Sequence, residues 1–301
     1  MKAISYDEYG GPEVLRLAEV TEPHAGPGQV RVKIVAAAVN PIDFKIRQGR
    51  APQMGPASLP AVPGLEAAGI VDEVGPGVRG VSIGDEVMVW TDTGASAEYA
   101  LASDFALKPA GLDWETAAAL PVAVETSDRV LGELAVGLGE TLLVHGAAGV
   151  VGSVGVQIAV ARGATVIGTA SEANHDFLRS LGALPVAYGD GLLDRVRAVA
   201  PQGVDAVYDV AGMDALDVSV ELRGGTTDRI VTTSDPRAFE LGITFSIGGR
   251  RFGPELAEYA RLAADGRLRV RVDQRFPLAD AARAHELCES GHARGKVLLR
   301  P

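Results

Sequence analysis

The stretch Thr141-Leu142-Leu143-Val144-His145-Gly146-Ala147-Ala148-Gly149-Val150-Val151-Gly152 decides how the rest of this chain is read. A short apolar strand runs into a glycine turn, and Val151–Arg162 then has helical composition. The turn approximates G-x-G-x-x-G, with Ala147 in the first slot, Gly149 in the second and Gly152 in the third. A small second residue lets backbone approach a pyrophosphate, and a small third residue lets helix and strand pack closely. The helix start offers unpaired N–H groups and the positive end of a dipole to phosphate. The segment therefore predicts a dinucleotide-binding unit, with Gly146, Ala147, Ala148, Gly149, Val150 and Val151 at the phosphates.

Such a turn is weak evidence alone and gains weight inside a strand–helix repeat. Working outward, strands are predicted at Thr141–His145, Thr165–Thr169, Pro185–Tyr188, Ala206–Val210 and Arg229–Thr233. Helices are predicted at Val151–Arg162, Asn174–Leu181, Leu192–Ala200 and Ala215–Arg223. This alternation gives an α/β fold, a doubly wound parallel sheet of Rossmann type. Thr232 and Thr233 end one strand at its carboxyl edge and are expected to line the nicotinamide site.

The end of the second strand bears on the cofactor. NAD binders usually carry Asp or Glu there for the ribose 2′-OH. Here Ala170-Ser171 fills that slot, which leaves room for a 2′-phosphate. Ser171, Asn174 and His175 are candidates to hold it. Glu172 would favour NAD if it turned inward, so the residues favour NADPH without deciding the matter.

Before residue 113 the texture differs. Val30–Val35, Gly69–Gly75 and Gly84–Val89 read as short strands bounded by turn residues. Trp114–Leu120 is helical, and Pro121 is expected to end it. Near the C-terminus, Pro254 opens one helix that Gly266 closes. Asp280 caps another that runs to Gly291, and Lys296–Leu299 is a last strand.

Composition narrows the function classes. With 301 residues, about two domains are expected. The net charge of −11 argues against binding a nucleic-acid backbone, which needs clustered Lys and Arg. A single cysteine, Cys288, makes no internal disulfide, and a cytoplasmic location is expected. The N-terminus shows no apolar leader and no membrane segment is expected. Cys288 itself reads as a buried structural thiol.

Further motifs make the picture specific: Asn40-Pro41-Ile42-Asp43, Pro63-Gly64-Leu65-Glu66-Ala67-Ala68-Gly69, Gly84-Asp85-Glu86-Val87, Ala97-Glu98-Tyr99, Ala118-Ala119-Leu120-Pro121 and Glu289-Ser290-Gly291-His292-Ala293-Arg294-Gly295-Lys296-Val297. In this order the chain resembles the zinc-independent quinone oxidoreductase branch of the medium-chain dehydrogenase/reductase superfamily. The resemblance implies a GroES-like β-rich catalytic domain at 1–122, completed by 267–301, and a Rossmann NADP-binding domain at 123–266, with the active site in the cleft between them. It places Asn40 and Asp43 near the nicotinamide end, Thr126 facing the cofactor, and Tyr188 by the 2′-phosphate. Asn40 would donate to a substrate carbonyl as charge develops; Asp43 would act there too or hold the Asn40 loop. Arg294 and Lys296 approach the cofactor or are ordinary surface charge. The resemblance also implies a homodimer paired through an edge strand at Leu241–Ser246.

Zinc members of that superfamily place Cys where Asn40 stands and His where Leu65 stands. Zinc needs three or four N, S or O ligands, and Glu66 alone does not supply them, so no metal site is expected. Without a Lewis acid, the expected acceptor is one whose charge delocalises as hydride arrives: a quinone, or an enone as in the alternative of an enoyl or 2-alkenal reductase. A further alternative is a non-catalytic NADPH-binding sensor. Two departures from the family stand out. Phe44 occupies a place where related enoyl reductases carry a tyrosine acid, and the segment before Ala97 is short.

Overall fold

The computed structural model describes residues 1–51, 58–212, 214–248 and 253–301. It separates into two compact units, residues 1–122 with 250–301, and residues 123–249.

The first unit begins with the antiparallel pair β1 (Lys2–Ser5) and β2 (Arg16–Glu19). Its main sheet uses β3 (Val30–Val39), β4 (Glu66–Val74), β5 (Glu86–Trp90), β6 (Tyr99–Ala102) and β7 (Asp104–Leu107). The expected alternation holds at the start of β3, where Val30, Val32 and Ile34 are buried and Lys33 is exposed. Beyond a register shift after Ile34, β3 is covered on both faces and turns to Ala36-Ala37-Ala38-Val39.

Helix α1 (Pro41–Arg47), which the periodicity did not announce, follows directly with Pro41 at its first position. Helix α2 (Trp114–Ala119) is capped by the Asp113 carboxylate, which accepts from the Thr116 N–H at 2.8 Å. Pro121 stops α2, as expected, and also opens a second helix, α3 (Pro121–Glu133), that was not expected. A first-turn proline forfeits no intrahelical hydrogen bond, so the same residue serves both ends.

From β8 to β12 the second unit follows the predicted alternation within one or two residues: β8 (Thr141–His145), α4 (Val150–Ala161), β9 (Thr165–Ala170), α5 (His175–Ser180), β10 (Leu184–Ala187), α6 (Leu192–Val199), β11 (Ala206–Asp209), α7 (Ala215–Leu222) and β12 (Ile230–Thr232); a helix that was not expected, α8 (Ala238–Leu241), then precedes β13 (Thr244–Phe245), which is shorter than the edge strand expected at Leu241–Ser246. All five pairings are parallel, in the order β10-β9-β8-β11-β12-β13. This is the doubly wound order, and the chain reverses its direction of travel between β8 and β11. Leu143, Ile167, Val186, Val207, Leu216 and Ile230 form the core on one face.

The chain then returns to the first unit through α9 (Gly253–Ala264), β14 (Val272–Pro277), α10 (Ala281–Glu289) and β15 (Lys296–Arg300). The sequence reading grouped α9 with the second unit. Instead it packs on β7, and a Cβ on Gly253 would stand 2.7 Å from the Phe105 carbonyl oxygen. Strand β15 is antiparallel to β3, with β14 outside it, so the sheet order is β14-β15-β3-β4-β5-β7, and β6 also pairs with β3. Among the described residues no helix is long and apolar enough to cross a membrane.

Candidate functional site

Chemistry-bearing side chains gather in two places, one in each unit.

In the second unit the site begins at the carboxyl end of β8. His145 is buried, and burial pushes its imidazole down to about 4, so it is neutral at pH 7. Its Nε2 meets Ser219 Oγ at 3.1 Å and its Nδ1 meets Thr169 Oγ1 at 3.3 Å. Ser219 already donates to the Ala215 carbonyl at 2.6 Å. The ring proton therefore sits on Nε2, and Nδ1 accepts from Thr169. Thr169 also ties the turn from its backbone, where its carbonyl accepts the Ala147 N–H at 3.1 Å.

The three turn positions differ in what they demand. Gly146 has φ +72°, a left-handed conformation that glycine adopts without strain. A Cβ on Gly152 would lie 2.3 Å from the Gly146 carbonyl oxygen. Gly149 is the N-cap of α4, with no side chain capping the helix. The first intrahelical bond is Ser153 N–H to the Gly149 carbonyl at 2.9 Å, so the N–H groups of Val150 and Val151 lie ahead of it with no acceptor inside the helix. Ala147 is buried beneath the turn, and Ala148, Val150 and Val151 are half-buried. A turn of this shape, with no room for a side chain at Gly152 and N–H groups unpaired within the helix, could hold a pyrophosphate.

At the end of β9, Ser171 accepts from Asn174 Nδ2 at 3.1 Å. His175 opens α5, with a buried Nε2 that has no partner, and Glu172 is exposed beside it. Tyr188 follows β10 and is 54% exposed. These groups suit a 2′-phosphate in chemistry: two neutral donors, an orphaned imidazole nitrogen and an exposed phenol. Thr126, half-buried on α3, contacts Glu125 Oε2 at 3.4 Å.

Thr232 and Thr233 do different things. Thr232 is fully buried and donates to Asp209 Oδ2 at 2.7 Å, while its oxygen accepts from the N–H groups of Ser234 and Asp235. Asp209 Oδ1 accepts from the N–H groups of Ala211 and Gly212. Thr232 thus spends its hydroxyl on shaping the loops after β11 and β12, while Thr233 is the half-buried residue past the strand end. Asp209 is an organiser that sequence reasoning missed; its only signal was an acid at the carboxyl end of a predicted central strand.

In the first unit, register brings three strands to a common end. Val297 of β15 stands opposite Val39 of β3, and Ala38 of β3 opposite Glu66 of β4. Lys296, Asn40 and Glu66 therefore converge, and all three are buried. Lys296 Nζ donates to Asn40 Oδ1 at 2.7 Å and to Glu66 Oε1 at 2.6 Å. Asn40 Nδ2 donates to the same Glu66 oxygen at 2.8 Å. Glu66 Oε2 accepts the Val122 N–H at 2.7 Å, one of the unpaired donors at the start of α3.

Asp43 lies beneath this ring and accepts the Asn40 backbone N–H at 2.7 Å. Burial pushes its carboxyl up to about 7, and the charge of Glu66 adds to the rise, against the pull of the Asn40 N–H and Lys296. Asp43 therefore changes protonation near neutral pH. Cys288 is a neighbour, its thiol pushed up to about 12 by burial, in keeping with an unreactive thiol.

Lys296 corrects the reading of this segment as surface charge. It is 3% exposed, whereas Arg294, two residues earlier, is exposed. The sequence did not place Glu66 in the site, and it left Lys296 between a role at the cofactor and ordinary surface charge. The available signal was the pair of motifs Pro63-Gly64-Leu65-Glu66 and Gly295-Lys296-Val297, whose meeting needs the sheet. Arg47, on α1, is also fully buried and pairs with Glu289 of α10, fixing α1 to the C-terminal helix.

The comparisons with known proteins agree with this architecture. Residues 26–112 match the alcohol dehydrogenase GroES-like domain, and residues 181–299 match the zinc-binding dehydrogenase family. The chain is 34% identical to the NADPH-dependent alkenal/one oxidoreductase of Arabidopsis thaliana chloroplasts, over 100% of its own length and 80% of the relative's. It is 35% identical to the quinone oxidoreductase of Sus scrofa, over 99% and 97% of the two chains. The solved quinone oxidoreductase of Coxiella burnetii superposes with a TM-score of 0.88 at 33% identity, covering 100% and 99%. The chain therefore belongs to the medium-chain dehydrogenase/reductase superfamily, alongside its quinone and alkenal/one oxidoreductases.

Proposed function

We propose that this protein is an NADPH-dependent, zinc-free reductase of quinones or similarly conjugated carbonyl compounds. Two observations carry the reading together: the uncapped glycine turn at α4 in one unit, and in the other a Glu66 carboxylate that already accepts from Lys296, Asn40 and Val122. The relatives' names supply the cofactor and the acceptor class: one is an NADPH-dependent alkenal/one oxidoreductase, the other a quinone oxidoreductase.

NADPH, when bound, supplies the hydride. Gly146, Ala147, Ala148, Gly149, Val150 and Val151 hold its pyrophosphate, and Ser171, His175 and Tyr188 hold its 2′-phosphate. Thr126, Thr233 and the loop shaped by Thr232 serve the nicotinamide end. Asn40 offers an amide hydrogen to the acceptor oxygen as negative charge gathers there, in the manner of an oxyanion donor. Asp43 holds the Asn40 backbone. Phe44 has no proton to give, so the reduced acceptor takes its proton from solvent.

The zinc-free reading rests on the donor set. Asn40 and Leu65 stand where cysteine and histidine ligands would be needed, and an ammonium occupies Glu66. A catalytic zinc needs about three protein ligands. The decisive measurement is NADPH oxidation followed by stopped flow with a panel of quinones and enones. Turnover that survives exhaustive chelation supports the proposal; binding of NADPH without turnover of any acceptor favours a sensor instead. The enone reading draws on the alkenal/one relative, and the ratio of kcat/KM for an enone and a quinone separates the two.

We further propose a cytoplasmic homodimer. Strand β13 is the outer strand of its sheet, and Phe239 stacks on Phe245 at 5.2 Å while remaining 67% exposed. An apolar edge of this kind invites pairing with a second copy. A monomer mass by light scattering at micromolar concentration would refute it.

A further inference from the structure

The amide of Asn40 has two ends of opposite character, and only one of them helps a carbonyl acceptor. Its oxygen would repel the developing charge, while its N–H would stabilise it. An unconstrained amide can present either end. Here the surroundings leave no choice. Lys296 carries only donors, so the atom it meets at 2.7 Å is the amide oxygen. An ionised Glu66 only accepts, so the atom it meets at 2.8 Å is the amide nitrogen. Lys296 and Glu66 also bond to each other at 2.6 Å, which closes a three-membered ring of hydrogen bonds. Glu66 is itself fixed from its other oxygen by Val122.

The inventory then leaves one N–H on Asn40 Nδ2 and one on Lys296 Nζ without an acceptor among the described residues. The amide oxygen, by contrast, is engaged. Any group that reaches this amide from its free side meets a hydrogen. The cost of burying Lys296 and Glu66 is high, since taking two charges out of water consumes most of what their attraction returns. A neutral asparagine needs no such pair merely to be packed.

We propose that Lys296 and Glu66 are positioning residues for the reduction: they lock the Asn40 side chain so that it presents an amide hydrogen, never its oxygen, to the acceptor. This rests on the reading of Asn40 as the donor, and the test separates the two. The charge-neutral double variant Glu66→Gln with Lys296→Met is placed in the wild type and in an Asn40→Ala background. In the wild-type background kcat falls about 10–100-fold while KM for NADPH stays within about twofold, a smaller loss than outright removal of an oxyanion donor. In the Asn40→Ala background the same pair of substitutions costs less than about twofold more, because there is no amide left to orient.

A second readout needs no cofactor and no acceptor. In the 1H–15N spectrum of the free protein, the Asn40 side-chain amide, identified by its loss in Asn40→Ala, shows two well-separated, slowly exchanging hydrogens. In the double variant the two move together and exchange fast. Equal losses of kcat in both backgrounds would overturn the inference, as would an unchanged Asn40 signal. Full activity of Asn40→Ala would instead defeat the donor reading, and with it any role for the lock. Should the double variant not fold, Glu66→Gln alone, which keeps the side-chain volume, carries the same cycle and the same spectrum.

Discussion

The two candidate sites, one in each unit, are built by opposite means. The second builds its site from backbone: the glycine turn between β8 and α4 works through absent side chains and unpaired N–H groups. The first builds its site from side chains: Glu66 and Lys296 begin two strands, Asn40 follows the end of a third, and Lys296 stands 256 residues from Asn40. A backbone site is specified by a dozen consecutive residues and fails if one of them gains an atom. A side-chain site is specified by register across a sheet and fails if one charge loses its partner.

The largest expected effect breaks the side-chain site. Lys296→Ala leaves the Glu66 carboxylate buried beside only neutral donors, and loss of one partner of a buried pair costs about 3–5 kcal/mol. Urea unfolding should show this as a lower midpoint. A midpoint unchanged within error would mean that the ion pair is not buried as described. The next effect breaks the backbone site. Gly152→Val pushes a side chain onto the Gly146 carbonyl, 2.3 Å from where its Cβ would be. NADPH affinity should fall by about 100-fold or more, roughly 3 kcal/mol, in a fluorescence titration, with the pairing of Lys296 and Glu66 untouched.

A third prediction sharpens the contrast through pH. The Asp43 carboxyl is raised from 3.8 to about 7 in the folded protein, chiefly by burial. A raised carboxyl contributes stability that is fully present below about 4 and is lost as pH rises through about 7. Asp43→Asn keeps an oxygen for the Asn40 N–H and removes the titration. Relative to the wild type, the variant should therefore gain stability between pH 4 and pH 8, on the order of 1–3 kcal/mol. Parallel stability curves for the two proteins over that range would refute this. The smallest effect lies at the end of β9. Ser171→Asp sets a charge in the slot read as receiving the 2′-phosphate, and NADPH should weaken about tenfold against NADH. Equal changes for both nucleotides would place the 2′-phosphate elsewhere.

Legibility in the sequence followed the same divide. The strands and helices from β8 to β12 were predicted within one or two residues because period, length and turn chemistry are local properties. Thr232 shows where local reading stops. Its place at a strand end was correct, but its hydroxyl is committed to Asp209, a partner on the neighbouring strand that only sheet order reveals. Pro121 shows a milder version: a proline after a helix reads as a stop, and nothing nearby says that it also starts α3. In the first unit α1 and β14 were not anticipated, being short and without a clean period. Arg294 and Lys296 look alike in sequence, two basic residues flanking a glycine, yet one is exposed and the other is 3% exposed.

By itself the sequence determined that a strand, a glycine turn and a helix would follow one another here, because the left-handed φ of Gly146 and the close approach of Gly152 to the Gly146 carbonyl are local to the turn. It also determined the residue types at Asn40 and Leu65, which remove two metal ligands. Only the tertiary structure decided that Lys296 is a buried partner of Glu66 and that, among the described residues, one hydrogen of the Asn40 amide has no acceptor. Antiparallel register over β15, β3 and β4 fixes those contacts, and register depends on the whole sheet closing at once.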